Sequence, residues 1–370
     1  MRYPKFLKLR IAIILAIVLL PATAMAGTVS LANTQKKAEK HWTAERYAAA
    51  RPLPLQQAEP GIDPFPEALE AAETALESQS AAGRAPVAGV RANPSNRLFE
   101  AQDREMAALS ASAEDLDSIA EPASGSGGGY FTSARLVPVS ADRSFPYSTV
   151  GKLFFTIPGQ GDFYCSAAVI RSRIVATAAQ CIHSGTSNPG FFTNFEFVPA
   201  YRDGVAPFGS WEWEYVSVPS AWTTGNGKLP NAADFGLIEV EDLVFDGSLR
   251  RIGDVVGYLG YATQRLRPNH AHLLAYTSSF DGGEKLHQVT AKDAKTASPS
   301  NVLYGSDMRG GSAGGPLIQD FGDNAALVKW VGAISTLNSS AAVKLQGASI
   351  PDSKFTSVLN SVCAHRAGNC

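Results

Sequence analysis

The chain opens on a basic stretch holding Arg2, Lys5, Lys8 and Arg10, followed by an unbroken apolar run from Ile11 to Leu20. Pro21 ends the run, and Ala24-Met25-Ala26 supplies the small-x-small pattern that signal peptidase cleaves. A bilayer span needs roughly 20 apolar residues. The run therefore reads as a signal peptide over residues 1–26, leaving a mature chain that begins near Gly27 and has no membrane span. Residues 27 to about 140 are rich in Ala, Glu, Ser and Pro, with thin apolar stripes at helical spacing over Thr34–Ala50, Pro66–Ser78 and Asn96–Ser110. Ser124 to Gly129 is Gly and Ser alone, the composition of a flexible linker. This segment is expected to be partly helical or disordered and not an independent globular unit. Two roles stand side by side for it, a propeptide or regulatory arm and a plain spacer.

From about Phe145 the texture changes. Short runs rich in Val, Ile, Phe, Tyr and Trp alternate with Gly, Pro, Asn and Asp: Val150–Thr156, Ser166–Ile170, Ile174–Thr177, Phe195–Val198, Trp211–Val218, Phe235–Val240, Val255–Leu259, Leu286–Thr290 and Val328–Ile334. Many short strands without a long helical period predict an all-β sandwich or a pair of barrels. Only Asp352–Cys363, near the C-terminus, has helical spacing.

Composition narrows the partners. A formal net charge of −2, with 18% charged residues, offers nothing to attract nucleic acid or an anionic membrane surface. The four cysteines, Cys165, Cys181, Cys363 and Cys370, all lie beyond the signal peptide; an even count in an exported chain predicts two disulfides, for which spacing alone leaves three pairings. No CxxC pair is present, so a zinc site is not expected; no other metal and no cofactor is expected either.

Three short motifs carry the candidate chemistry. Ala176-Thr177-Ala178-Ala179-Gln180-Cys181 follows a β-like run, Ala233-Asp234-Phe235-Gly236-Leu237-Ile238 opens another, and Gly310-Gly311-Ser312-Ala313-Gly314-Gly315-Pro316-Leu317 is a glycine-rich loop. In this order and spacing they resemble the trypsin/chymotrypsin-like serine proteases. The flanking Asp307-Met308, the runs Pro199–Gly204 and Ala206–Trp211, and Lys40–Arg46 ahead of the domain resemble the bacterial glutamyl-endopeptidase-like branch.

The resemblance implies two antiparallel six-stranded β-barrels over residues 141–370, barrel 1 about 145–245 and barrel 2 about 250–350, closed by a short C-terminal helix. It implies a Cys165–Cys181 bridge, leaving Cys363–Cys370 as the second pair. It places Gln180 at the position of the catalytic histidine, Asp234 at that of the aspartate, and Ala313 at that of the nucleophilic serine. The oxyanion hole falls at the N–H groups of Gly311 and Ala313. An amide has no useful basicity and a methyl group no nucleophilicity, so the expected protein is an exported, periplasmic or secreted protease homologue that is catalytically inactive and binds a peptide or protein in the cleft.

The alternative is an active serine endopeptidase using a non-standard nucleophile, Ser312, with His183 as base. Asp307 falls where trypsins place the carboxylate that reads Lys and Arg, or else braces its loop. The branch's glutamate-reading histidine has no counterpart in Val331–Thr336, and Ser312 stands where the family often has an aspartate. His270, His272 and His287 match no motif position, which points to surface or structural roles.

Overall fold

The structure, a computed structural model, describes residues 27–33, 41–56, 78–99, 129–136, 140–266, 270–297, 300–337 and 344–370. The signal-peptide run, Pro66–Ser78 short of its last residue, Asn96–Ser110 beyond Phe99, and the Gly/Ser linker short of Gly129 lie outside these residues.

Four strands come from the region before the domain: β1 (Thr28–Ala32), β2 (Arg51–Pro52), β3 (Ser80–Ala81) and β4 (Phe131–Arg135). Barrel 1 is built from β5 (Val150–Ile157), β6 (Gly161–Val169), β7 (Ile174–Thr177), β8 (Thr193–Pro199), β9 (Trp211–Pro219) and β10 (Gly236–Val240). These pair in the order β9-β10-β7-β6-β5-β8, and β8 pairs back with β9 to close the ring. A hairpin, β11 (Leu243–Phe245) with β12 (Ser248–Arg250), and β13 (Gly260–Ala262) lead to barrel 2.

Barrel 2 comprises β14 (His270–Ala275), β15 (His287–Ala297), β16 (Asn301–Gly305), β17 (Pro316–Gln319), β18 (Lys329–Leu337) and β19 (Leu345–Ser349). Their order is β17-β14-β15-β16-β19-β18, closed by β17 against β18. Neighbouring strands within each ring are antiparallel. The expected all-β pair of closed six-stranded barrels is what the chain forms.

At the start of β9 Trp211 and Trp213 are buried while Glu212 and Glu214 are half-exposed, as a pleated strand with one wet face requires, and its last four residues are all buried. Helix Ser353–His365 starts where Asp352 accepts from the Lys354 N–H at 2.8 Å. Its buried Phe355, Val358, Leu359 and Val362 lie at helical spacing; the helix lies against β9 and β10, and the Phe355 ring meets those of Phe235, Tyr261 and Trp330. Disulfides join Cys165 to Cys181 and Cys363 to Cys370.

Three element expectations are corrected. Val255–Leu259 is not a strand: Ile252–Val255 is a helical turn, and Gly257 at φ +76° turns the chain before β13. Val255, Val256 and Leu259 are buried, but an unbroken apolar run does not distinguish a buried turn from a buried strand. Within Thr34–Ala50, the described part is helical only over Ala44–Ala49, which Thr43 caps. Asn96–Phe99 is not helical, because its main chain pairs across space, with Leu98 N donating to Gly204 O and Ala206 N to Asn96 O, each at 2.8 Å.

The described pieces of residues 27–136 do not stand apart from the barrels. β1 extends barrel 1 antiparallel to β9, and β2 lies parallel to β6. β3 pairs with β13, and β4 runs antiparallel along β15.

Candidate active site

The three motifs converge where the barrels meet. Gln180 sits on the turn Ala179–Cys181 at the end of β7, and the Cys165–Cys181 disulfide ties that turn to β6. Asp234 lies just before β10 and is wholly buried. One carboxylate oxygen accepts from the Gln180 main-chain N–H at 2.9 Å. The other accepts from Gln180 Nε2 at 2.7 Å and from Ser335 Oγ at 2.5 Å. Gln180 Nε2 also donates to the Ser335 carbonyl at 2.6 Å. Both partners of Nε2 are acceptors, which fixes the orientation of the amide. Its Oε1 is then left buried with no hydrogen-bond partner among the described residues.

Asp234 thus sits among donors, with no cation beside it among the described residues. Burial pushes its carboxyl up, and the bonds from Ser335 and Gln180 pull the other way. Ser335, on β18, joins the aspartate of barrel 1 to barrel 2 and was not singled out from the sequence. A serine within a strand gives no warning that it will face a carboxylate 101 residues away.

Ala313 is fully buried, and its carbonyl accepts from Ser166 N at 2.9 Å. The loop around it depends on glycine. A Cβ on Gly314, at φ +80°, would stand 1.9 Å from Thr177 Oγ1 and 2.3 Å from the Ser166 carbonyl oxygen. Ser312 is also fully buried; its hydroxyl donates to the Arg309 carbonyl at 2.7 Å and accepts from Gln346 Nε2 at 3.0 Å. Gln346, on β19, holds this loop from behind, donating also to Met308 O and accepting from Ser306 Oγ. Uncharged Ser312 is thereby paired with an uncharged amide.

His183 lies on the turn past Cys181. Its Nδ1 accepts from Gly185 N at 2.9 Å, and its ring meets the Phe191 ring edge-on at 4.6 Å. Asp307 accepts from Ser133 Oγ of β4 at 2.9 Å, and Ser133 Oγ lies 2.6 Å from His287 Nε2. A hydroxyl has one proton, and here it goes to Asp307, so His287 Nε2 is the donor to Ser133. That direction is the reverse of what a base activating a serine needs. His287 also stacks on Phe280 at 4.1 Å, a packed and bonded side chain.

Burial holds His183, His272 and His287 below the usual histidine range, with Asp307 and Asp281 opposing this at His287. A histidine depressed by folding binds fewer protons folded than unfolded. Its contribution to stability is complete above the unfolded value near 6.5 and is lost as the pH falls below it. The melting temperature is therefore expected to decline as pH is lowered from about 6.5. His183→Asn, whose Oδ1 can take the Gly185 N–H in place of Nδ1, should shallow that decline. A flat melting profile through this window would exclude the account.

Two main-chain bonds bring the segment before the domain into the site. Leu53 N donates to the Tyr164 carbonyl at 2.9 Å, and Gly311 N donates to the Leu53 carbonyl at 2.9 Å. Among the described residues no group of His, Cys, Asp and Glu is arranged to hold a metal ion, and no helix is long and apolar enough to cross a membrane.

This double barrel is that of the trypsin/chymotrypsin-like serine proteases. The solved structure of protease Anisep from Arthrobacter nicotinovorans superposes with a TM-score of 0.53 at 23% identity, over 63% of this chain and 100% of that one. Thermostable serine protease AL20 from an extremophilic microorganism gives 0.51 at 26% identity, over 62% and 100%. A Glu endopeptidase gives 0.48 at 18% identity, over 63% and 96%. No family model matches the chain, and no curated protein does.

Proposed function

We propose that this chain is an exported serine-endopeptidase homologue that does not hydrolyse peptide bonds and instead binds an extended peptide or protein segment in the inter-barrel cleft. One observation carries the reading: the buried carboxylate of Asp234 is engaged by the amide of Gln180, which can hold that hydrogen bond but cannot take a proton from a nucleophile. Ala313 offers no hydroxyl at the neighbouring motif position. Loss of such machinery lowers kcat by on the order of a millionfold. The surrounding loop still needs glycine at 314 and is still held by Gln346, which supports a retained binding surface.

The competing reading makes Ser312 a nucleophile. Its hydroxyl is buried and committed to Arg309 O and Gln346 Nε2, which argues against that role. Export is supported by the signal-peptide pattern and by two disulfides, which persist in oxidising compartments. A fluorophosphonate probe is expected to leave the protein unlabelled. Labelling that disappears in Ser312→Ala would overturn the proposal and establish the competing one.

A further inference from the structure

A segment from before the domain lies against β6 and the glycine loop. Arg51–Gln56 reads Arg-Pro-Leu-Pro-Leu-Gln, and the prolines at 52 and 54 bias Arg51 and Leu53 to extended backbone before any contact is made. The segment lies parallel to β6, with Arg51 opposite Phe163 and Pro52 opposite Tyr164. Arg51 Nη2 donates to Gln160 O at 2.7 Å, and its guanidinium covers the Phe163 ring at 4.4 Å. Leu53 uses both of its main-chain groups, its N–H on Tyr164 O and its carbonyl on Gly311 N. Leu55 is buried in the hydrophobic core. Pro52 Cβ and the Leu53 carbonyl oxygen also stand 3.4 Å from where a Cβ on Gly310 would be, so the strap rests on the glycine loop itself.

The strap is anchored just upstream. Trp42 and Tyr47 are buried and stack at 5.1 Å, Trp42 Nε1 donates to Asn194 O, and Arg46 pairs with Asp162 at 2.8 Å. What stays open between the strap and Gln180 is a cavity of about 170 Å³, lined by Leu53 and Pro54 on one side and by Gln180, His183 and Phe192 on another. That is below the roughly 300 Å³ at which small-ligand pockets begin.

We infer that Arg51–Gln56 is a cis-acting competitor for the cleft, and that the external ligand is an extended, proline-spaced peptide of the same chemistry: an arginine, then an apolar residue two positions on whose backbone satisfies both Tyr164 O and Gly311 N. The inference rests on reading the cleft as a peptide site. A competitor tethered in the same chain lowers the apparent affinity of any external peptide by the fraction of time the cleft is free. A proline-fixed segment also gives up little conformational freedom on docking, which favours the closed form.

The test uses the full chain and a fluorescent synthetic peptide spanning residues 49–57. Leu53→Pro removes the N–H bonded to Tyr164 O, and Arg51→Ala removes an exposed side chain whose loss leaves the core intact. Each variant is expected to bind the peptide roughly five- to tenfold more tightly than the parent, the effect of about one hydrogen bond. In each, the Gly311 amide should exchange with solvent faster by a similar factor, and added peptide should restore its protection. Unchanged Gly311 exchange and unchanged peptide affinity in both variants would overturn the inference. So would faster exchange that added peptide does not reverse, since the strap would then be edge packing alone. Failure of the inactive-homologue reading shows elsewhere, as a fluorophosphonate adduct, and so is told apart from failure here.

Discussion

Replacing Gln180 by histidine and Ala313 by serine in one chain is expected to create measurable peptidase activity where neither change alone does. Asp234 already directs an oxygen at the residue-180 side chain at 2.7 Å, the place from which it would hold an imidazole N–H and fix its tautomer. A serine at 313 would add one oxygen to a methyl group on a loop that its neighbours already hold, with Ala313 O bound by Ser166 N and Gly314 N donating to Ile334 O at 2.8 Å. A nucleophile and its base act as a unit, so single replacements gain almost nothing. The double variant should exceed either single variant by roughly a thousandfold or more, short of the millionfold a complete triad represents. Adding Leu53→Pro should raise it again if Arg51–Gln56 competes for the cleft. Turnover of a fluorogenic peptide, normalised by fluorophosphonate titration, measures both effects. A well-folded double variant that neither turns over nor labels would show that the cleft departs from an active one by more than two side chains.

Asp234→Ala should be among the most destabilising single changes in the domain. The carboxylate takes bonds from Gln180 N, Gln180 Nε2 and Ser335 Oγ, all buried. Removing it leaves the Gln180 main-chain N–H and the Ser335 hydroxyl without an acceptor and Gln180 Nε2 with only the Ser335 carbonyl, and each unsatisfied buried donor costs about 1–3 kcal/mol. A total of about 4 kcal/mol, allowing for water entering the gap, corresponds to roughly 10 °C in melting temperature for a domain of this size. Ser335→Ala removes one donor along with its demand and should cost far less. Equal melting temperatures for the two variants would show that the aspartate is no longer structurally engaged.

The parts of this site that could be read from the sequence are the contiguous ones. The turn at Gln180, the strand entry at Asp234 and the glycine loop at Ala313 are each a run of six to eight residues, so their spacing survives without knowledge of the fold. What completes them comes from far along the chain. Ser335, Gln346, Ser133 and Leu53 act only through neighbours that the two barrels and the strands before them bring close. The same holds for strands. β9 shows itself by its run of Trp, Tyr and Val, whereas β16 and β19 are buried at every position and carry no period to detect. Val255–Leu259 failed in the opposite sense, being apolar for burial in a turn. In the stretch before the domain the thin apolar stripes were legible. That its strands would join both barrels was not, because edge pairing uses main-chain groups that every residue has.

That joining changes what a break in the chain would accomplish. β1 and β2 are held by barrel 1, β3 by β13, and β4 by barrel 2. A cut between Phe99 and Gly129 would separate β3 from β4 covalently and still leave two fragments gripped at several sheet edges. Each fragment would dissociate only if all its contacts opened together, so release would follow multivalent kinetics and not the lifetime of a single pairing. The loss would be of effective concentration: a segment held at millimolar levels by its tether would, once freed, be diluted to whatever the surroundings contain. Processing of such a chain would not switch a state at the moment of cleavage. It would start a clock, set by how slowly the detached strands leave.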